Sequence, residues 1–237
     1  MAPIFLTAEW RKLAMANYPV EQDALRPFLP ARTELDTWAG DPYVSLVGFQ
    51  FREVRVKGRR IPFHTHFPEV NLRFYVRYKD GSTWKRGVVF VREIVPLPAV
   101  AWVANTLFRE RYISLPMRYI ENSEETVLRT AYHWRYKNRW NSISLKAASR
   151  SEPLREGSQE EFITEHFWGY AKAGTDLTNE YQVAHPRWEV YPITECLVEC
   201  DFGRLYGPAF AGLGARKPQS AFLAEGSSIS VYSKNPV

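Results

Sequence analysis

Residues Glu69–Arg77 (EVNLRFYVR) alternate strictly. Val70, Leu72, Phe74 and Val76 fall on one side, and Glu69, Asn71, Arg73, Tyr75 and Arg77 on the other. A period of two sustained over this length predicts a β-strand. Asp80-Gly81 then supplies hairpin-turn chemistry, and TWKRGVVFVREIV reads as the returning strand. Its GVVFV stretch is apolar on both faces, which predicts a central strand covered from two sides. The same strand pattern marks Pro42–Val56, Val127–Tyr136, Ser142–Ala148 and the late SSISVYS at Ser227–Ser233.

Helical patterning is sparser. Thr7 is placed to cap a helix running towards Asn17, and EQDALRPFLP predicts a second one whose end Pro27 and Pro30 make ragged. AVAWVANTLFRE predicts a helix with Pro98 in its first turn, and Ser158 with Glu161 forms a capping box opening SQEEFITEHF. No linker, repeat or low-complexity tract divides the chain. The expectation is one domain over residues 1–237, mainly β with inserted helices (α+β), arranged as a barrel or strongly curved antiparallel sheets.

Composition sharpens this picture at a few points. A chain of 237 residues buries a sizeable core without staples, and its 15% aromatic content favours strands and a ring-lined interior. The net charge of +5 invites a nucleic-acid reading, but 31 basic residues are interleaved with 26 acidic ones rather than gathered in a stripe. The densest basic group, Arg55, Lys57, Arg59 and Arg60 around Gly58, reads as a solvated hairpin tip, so no nucleic-acid partner is expected. Cys196 and Cys200 are too few for a disulfide framework and read as buried reduced thiols, which fits the cytoplasm. The N-terminus shows no signal-peptide pattern, and no apolar run approaches the roughly 20 residues that span a bilayer.

Several groups are candidates for chemistry. Glu69, Asn71 and Arg73 project to one side at about 7 Å intervals, where they bind an oxygen-rich molecule, hold one another, or face solvent. Arg92-Glu93 closes the apolar strand. Neighbours on a strand point to opposite faces, so only one of the two is expected to line a cavity. His185-Pro186-Arg187-Trp188 is a compact turn in which His185 is either an acid/base group or a strut on Trp188. His64-Thr65-His66 near Glu69 lacks a dependable ligand spacing, and no metal is expected. Serine-nucleophile elbows, phosphate loops and dinucleotide fingerprints are missing, so no cofactor is expected either.

The motifs taken together resemble the YqjF-like family of uncharacterised bacterial proteins. The pattern Trp10-x-x-Leu13-x-x-x-Asn17-Tyr18-x-Val20, LPARTELD, FPEVNLRFYV, GVVFVREI, EEFITEHFWGY and HPRW carry the likeness over most of the chain. His166 stands where that pattern implies an arginine. A more distant resemblance is to acetoacetate decarboxylase, which implies a β-barrel around a central pocket and suggests a homo-oligomer. There REIVPLPAV matches at Arg92, Glu93, Ile94 and Pro98, while Ala99 and Val100 stand where the resemblance implies two lysines, one of them imine-forming. Alanine forms no imine, so a Schiff-base decarboxylation is excluded. The resemblance turns Glu69, Asn71 and Arg73 towards a pocket-lining role. The expectation is a small-molecule pocket with Glu69 and Glu93 as acid/base candidates and Asn71, Arg73, Arg92, His185 and Trp188 as binding candidates. It would act on a carbonyl or carboxylate compound without a cofactor, or hold such a ligand without turning it over.

Overall fold

The computed structural model describes residues 2–237. Eleven strands carry the architecture: β1 (Ile4–Pro19), β2 (Tyr43–Val56), β3 (Phe67–Asp80), β4 (Thr83–Val95), β5 (Met117–Ser123), β6 (Val127–Tyr136), β7 (Arg139–Ala148), β8 (Trp168–Lys172), β9 (Thr178–Ala184), β10 (Ile193–Glu199) and β11 (Ser220–Tyr232). Between them lie α1 (Pro98–Phe108), α2 (Gln159–Thr164) and α3 (Phe202–Tyr206). Pairing runs β11-β1-β2-β3-β4-β8-β9 and returns from β9 to β11, which closes a seven-stranded ring. Closure gives each of these strands a neighbour on both sides, although the β4–β8 and β9–β11 pairings are short. Only the β4–β8 pairing within the ring is parallel. A second sheet, β10-β7-β6-β5, lies against the outside.

Two hydrophobic clusters follow from this arrangement. One fills the ring, with Leu13, Met15, Val47, Phe49, Phe67, Tyr75 and Val88 among its buried residues. The other packs the opposite face of the same strands (Ala14, Leu46, Leu72, Phe74) against Tyr132, Trp134, Ile143 and Leu145 of the outer sheet. Strands covered on both faces explain why β2, β3 and β4 are so apolar. The outer sheet sits close. A Cβ on Gly48 would lie 2.6 Å from the Tyr132 ring, and the Tyr132 hydroxyl donates to the Lys12 carbonyl at 2.7 Å.

The helix expected between Thr7 and Asn17 is a strand. Its interior residues are Leu6, Ala8 and Trp10, then Leu13 and Met15. An extra residue at Lys12, where φ is +55°, shifts the alternation by one and leaves a spacing of three that imitates a helix. Tertiary pairing with β2 and β11 overrides the helix-forming composition. Of EQDALRPFLP only the single turn Gln22–Leu25 is helical, anchored by buried Leu25. The remaining elements follow their patterns: α1 begins with Pro98, and Ser158 Oγ accepts from the Glu161 amide at 3.2 Å. The basic hairpin tip pairs Arg55 with Arg60 around Gly58, with Lys57, Arg59 and Arg60 facing solvent or nearly so.

Candidate functional site

The ring encloses a cavity of about 290 Å³, walled mainly by rings and aliphatics, with Trp10, Phe49, Phe51, Phe67, Phe90 and Trp188 prominent. Strand parity decides which polar groups enter it. On β3, Glu69, Asn71 and Arg73 point inward while Val70, Leu72 and Phe74 point to the outer cluster. On β4, strict alternation from Val88 and Phe90 would bring Arg92 inward. An extra residue at Val91, opposite the Leu72–Arg73 step, reverses the parity, so Glu93 lines the cavity and Arg92 does not. Arg92, expected among the binding residues, instead donates to the Leu205 carbonyl and faces a separate cleft on the other side of the strand.

Glu69 and Glu93 are each only 2% exposed, and Glu110, from the loop after α1, joins them at the cavity wall. Asn71 Nδ2 donates to Glu69 Oε1 at 3.0 Å, and the Tyr112 hydroxyl donates to Glu69 Oε2 at 2.9 Å. The Tyr181 hydroxyl donates to Glu110 Oε1 at 2.8 Å, while Glu93 Oε2 has no partner among the described residues. Burial pushes the Glu69 carboxyl up to about 7 against the pull of those hydrogen bonds and of Arg73. Burial, with Glu69 adding repulsion, raises Glu110 to about 8, and burial followed by Glu110 and Glu69 raises Glu93 well above the carboxylate range. Near neutral pH the three hold protons that ordinary carboxylates would have released.

Arg73 is 7% exposed, yet no carboxylate pairs with it among the described residues. Its Nη2 reaches only the Ile163 carbonyl at 3.4 Å and Met15 Sδ at 3.9 Å, and its Nε is buried without a partner. Glu69 and Arg73 therefore do not form a closed ion pair.

His185 stacks on Trp188 with ring centroids 4.2 Å apart and 20° between planes, and its Nδ1 lies 2.9 Å from the Pro186 carbonyl oxygen. Both rings line the cavity, and Trp188 Nε1 donates to Ser227 Oγ at 2.8 Å. This is the strut geometry. His64 lines the cavity with Nδ1 2.8 Å from the Pro62 carbonyl oxygen, while His66 places Nδ1 2.9 Å from Thr65 Oγ1 and Nε2 3.3 Å from Glu53 Oε1 on β2.

Three contributors escape sequence reading, Glu110, Tyr112 and Tyr181, and a fourth, His166, is marked there only as a departure from the family pattern. Glu110 and Tyr112 are two positions apart, but Tyr181 and His166 lie far along the chain from them, and no sequence pattern joins the three places. His166 lies at the cavity wall with Nε2 3.1 Å from Asp36 Oδ2, an oxygen that also accepts from Arg86 Nε at 2.6 Å. The carboxylate fixes the proton on Nε2 and leaves Nδ1 as an acceptor, which is buried without a partner among the described residues. Burial lowers the imidazole to about 4 despite the Asp36 hydrogen bond, with Arg86 and Arg73 adding to the effect, so His166 is neutral at physiological pH.

A family model described as an uncharacterized conserved protein, DUF2071, matches residues 7–228. The chain belongs to the DUF2071 family. Among curated proteins, the uncharacterized protein YqjF of Bacillus subtilis strain 168 is 31% identical over 116 residues, which are 48% of this chain and 46% of YqjF. The alignment thus spans less than half of that relative. Among solved structures, acetoacetate decarboxylase from Legionella pneumophila superposes with a TM-score of 0.66 at 12% identity, covering 99% of this chain and 88% of its own. The enduracididine biosynthesis enzyme MppR complexed with pyruvate gives 0.66 at 10% identity, covering 100% and 91%. An acetoacetate decarboxylase-like enzyme from Sphingomonas wittichii RW1 gives 0.65 at 10% identity, covering 98% and 92%. This DUF2071 chain thus has the acetoacetate decarboxylase-like fold. At its cavity, Ala99 and Val100 occupy the first turn of α1, and no lysine is among the lining residues described.

Proposed function

We propose that the cavity binds a small, largely apolar molecule bearing a carboxylate or carbonyl oxygen, and that the carboxyl cluster moves a proton on it without a cofactor. The observation that carries this reading is Arg73, a guanidinium more than nine-tenths buried with no carboxylate partner. A buried charge left unpaired costs roughly 3–5 kcal/mol, and an anionic ligand oxygen held by the guanidinium relieves that cost. The surrounding rings accept the apolar body of the same molecule.

Glu69, Glu93 and Glu110 supply the proton chemistry in this proposal. A carboxyl group raised to about 7 is half-protonated near neutral pH, so it both gives and takes a proton at little cost. Asn71 and Tyr112 hold the Glu69 carboxyl in place. His166 Nδ1 adds a neutral acceptor for a ligand hydroxyl. Enolisation, hydration and dehydration next to a carbonyl all need these groups and no imine-forming lysine. A binding-only role would be favoured by carboxylates locked in salt bridges, and neither Glu69 nor Glu93 makes one among the described residues.

The test is native mass spectrometry of protein purified from cells, followed by release and identification of any retained molecule. The expected result is a carboxylate or carbonyl compound that is bound by the wild type and lost in Arg73→Ala. That compound is then assayed for turnover with Glu69→Gln. If Arg73→Ala and Glu69→Gln leave binding and every detected conversion unchanged, the proposal fails.

A further inference from the structure

On the outer side of β4 the chain forms a second, more open cleft, whose lining includes Phe28, Arg92, Arg111, Tyr112, Arg204 and Tyr206. Three arginines meet there, and no aspartate or glutamate is among the lining residues. Each arginine comes from a different part of the chain: Arg92 from β4, Arg111 from the segment after α1, and Arg204 from α3.

Each also arrives with donors to spare. The Arg92 side chain is pinned by one hydrogen bond to the Leu205 carbonyl, and the Arg111 guanidinium lies 5.0 Å above the Phe28 ring. Arg204 is 70% exposed and makes one loose contact, 3.6 Å from Nε to Asp201 Oδ2. Beside them the Tyr206 hydroxyl is buried without a hydrogen-bond partner, in a residue only 4% exposed. A buried hydroxyl without a partner is costly, so a ligand acceptor next to it recovers free energy.

We propose that this cleft is a second ligand site, for a multiply charged oxyanion of the phosphate or phosphate-ester class, gripped by Arg92, Arg111 and Arg204 with the Tyr206 hydroxyl as a further donor. Guanidinium groups match the tetrahedral, multiply accepting oxygens of phosphate by paired N–H donation. A monocarboxylate neutralises one charge, whereas three arginines lining one cleft, with only Asp201 beside Arg204, call for more. The site is independent of the proposed chemistry in the barrel, although Tyr112 forms a wall common to both.

The test is isothermal titration of the full-length protein with inorganic pyrophosphate at constant ionic strength, repeated with glycerol 3-phosphate and with acetate. The expected result is saturable binding of both phosphates, with no competition from acetate at equal concentration. The double variant Arg111→Gln/Arg204→Gln changes two solvent-exposed side chains and is expected to weaken pyrophosphate at least about tenfold, the effect of losing one charge-assisted hydrogen bond. Tyr206→Phe weakens it several-fold without removing charge, and Arg73→Met, which empties the barrel of its guanidinium, leaves it unchanged. Absence of saturable phosphate binding, equal competition by acetate, wild-type affinity in the double variant, or loss of binding in Arg73→Met would each overturn the proposal.

Discussion

Replacing Glu69 by glutamine tests the electrostatics of the carboxyl cluster without needing a ligand. The folded protein holds the Glu69 proton up to about 7, against an ordinary value of 4.5. Between those two values the unfolded chain has released a proton that the folded chain keeps. Stability therefore falls as pH rises, and the loss is complete above the folded value. The difference corresponds to about 3 kcal/mol. Glutamine has nearly the shape of the protonated carboxyl and nothing to ionise. It disturbs the Asn71 and Tyr112 hydrogen bonds by a constant, on the order of 1 kcal/mol at every pH.

The quantity to follow is the stability of wild type minus that of Glu69→Gln, from urea unfolding between pH 5 and pH 9. It is expected to fall by about 3 kcal/mol over that range. Removing the Glu69 charge also relieves Glu93 and Glu110, which enlarges the fall. His166 has the opposite sign: its lowered value, about 4 against 6.5, makes stability rise with pH below about 6.5. That contribution is common to both proteins and cancels in the difference. A difference flat to within about 0.5 kcal/mol, or one that rises with pH, would refute the description of Glu69 as a desolvated, proton-holding carboxyl.

Three further outcomes are expected. Gly48→Ala places a methyl group 2.6 Å from the Tyr132 ring and should destabilise the protein by about 1–3 kcal/mol, seen as a lower urea midpoint with an unchanged slope. Asp36→Ala removes the acceptor shared by His166 and Arg86, and nitrogen-15 spectra of the imidazole should show the Nε2-protonated form of the wild type lost at pH 7. Arg73→Met removes a buried unpaired charge and should leave the empty protein at least as stable as wild type in thermal unfolding; a large loss would mean the guanidinium is structural.

Short-range regularity carried much of the fold. The alternation through Glu69–Arg77, the doubly apolar GVVFV, Pro98 opening a helix and the Ser158–Glu161 cap all report on neighbours within a few residues, and the structure has each of them. The inward set Glu69, Asn71 and Arg73 was legible for the same reason, because strand parity and the distant fold resemblance together point one face into the barrel. What failed were the places where parity breaks. Extra residues at Lys12 and Val91 made a strand look helical and turned Arg92, expected among the binding residues, away from the cavity while Glu93 faces it. A bulge is accommodated by the partner strand, so its position is a property of the pair and not of either sequence segment.

The amino-acid sequence by itself thus determined the strand-rich class, the alternation that sets Glu69, Asn71 and Arg73 on one face, and the residues Ala99 and Val100 where an imine lysine would stand, since these depend on local period and residue identity. Only the tertiary structure decided that Glu69, Glu93 and Glu110 share one desolvated space, that Arg73 lacks a carboxylate, and that Asp36 holds His166 across 130 positions of chain. Ring closure through β9 and β11 brings those groups together, and their proton affinities follow from burial and from each other's charge.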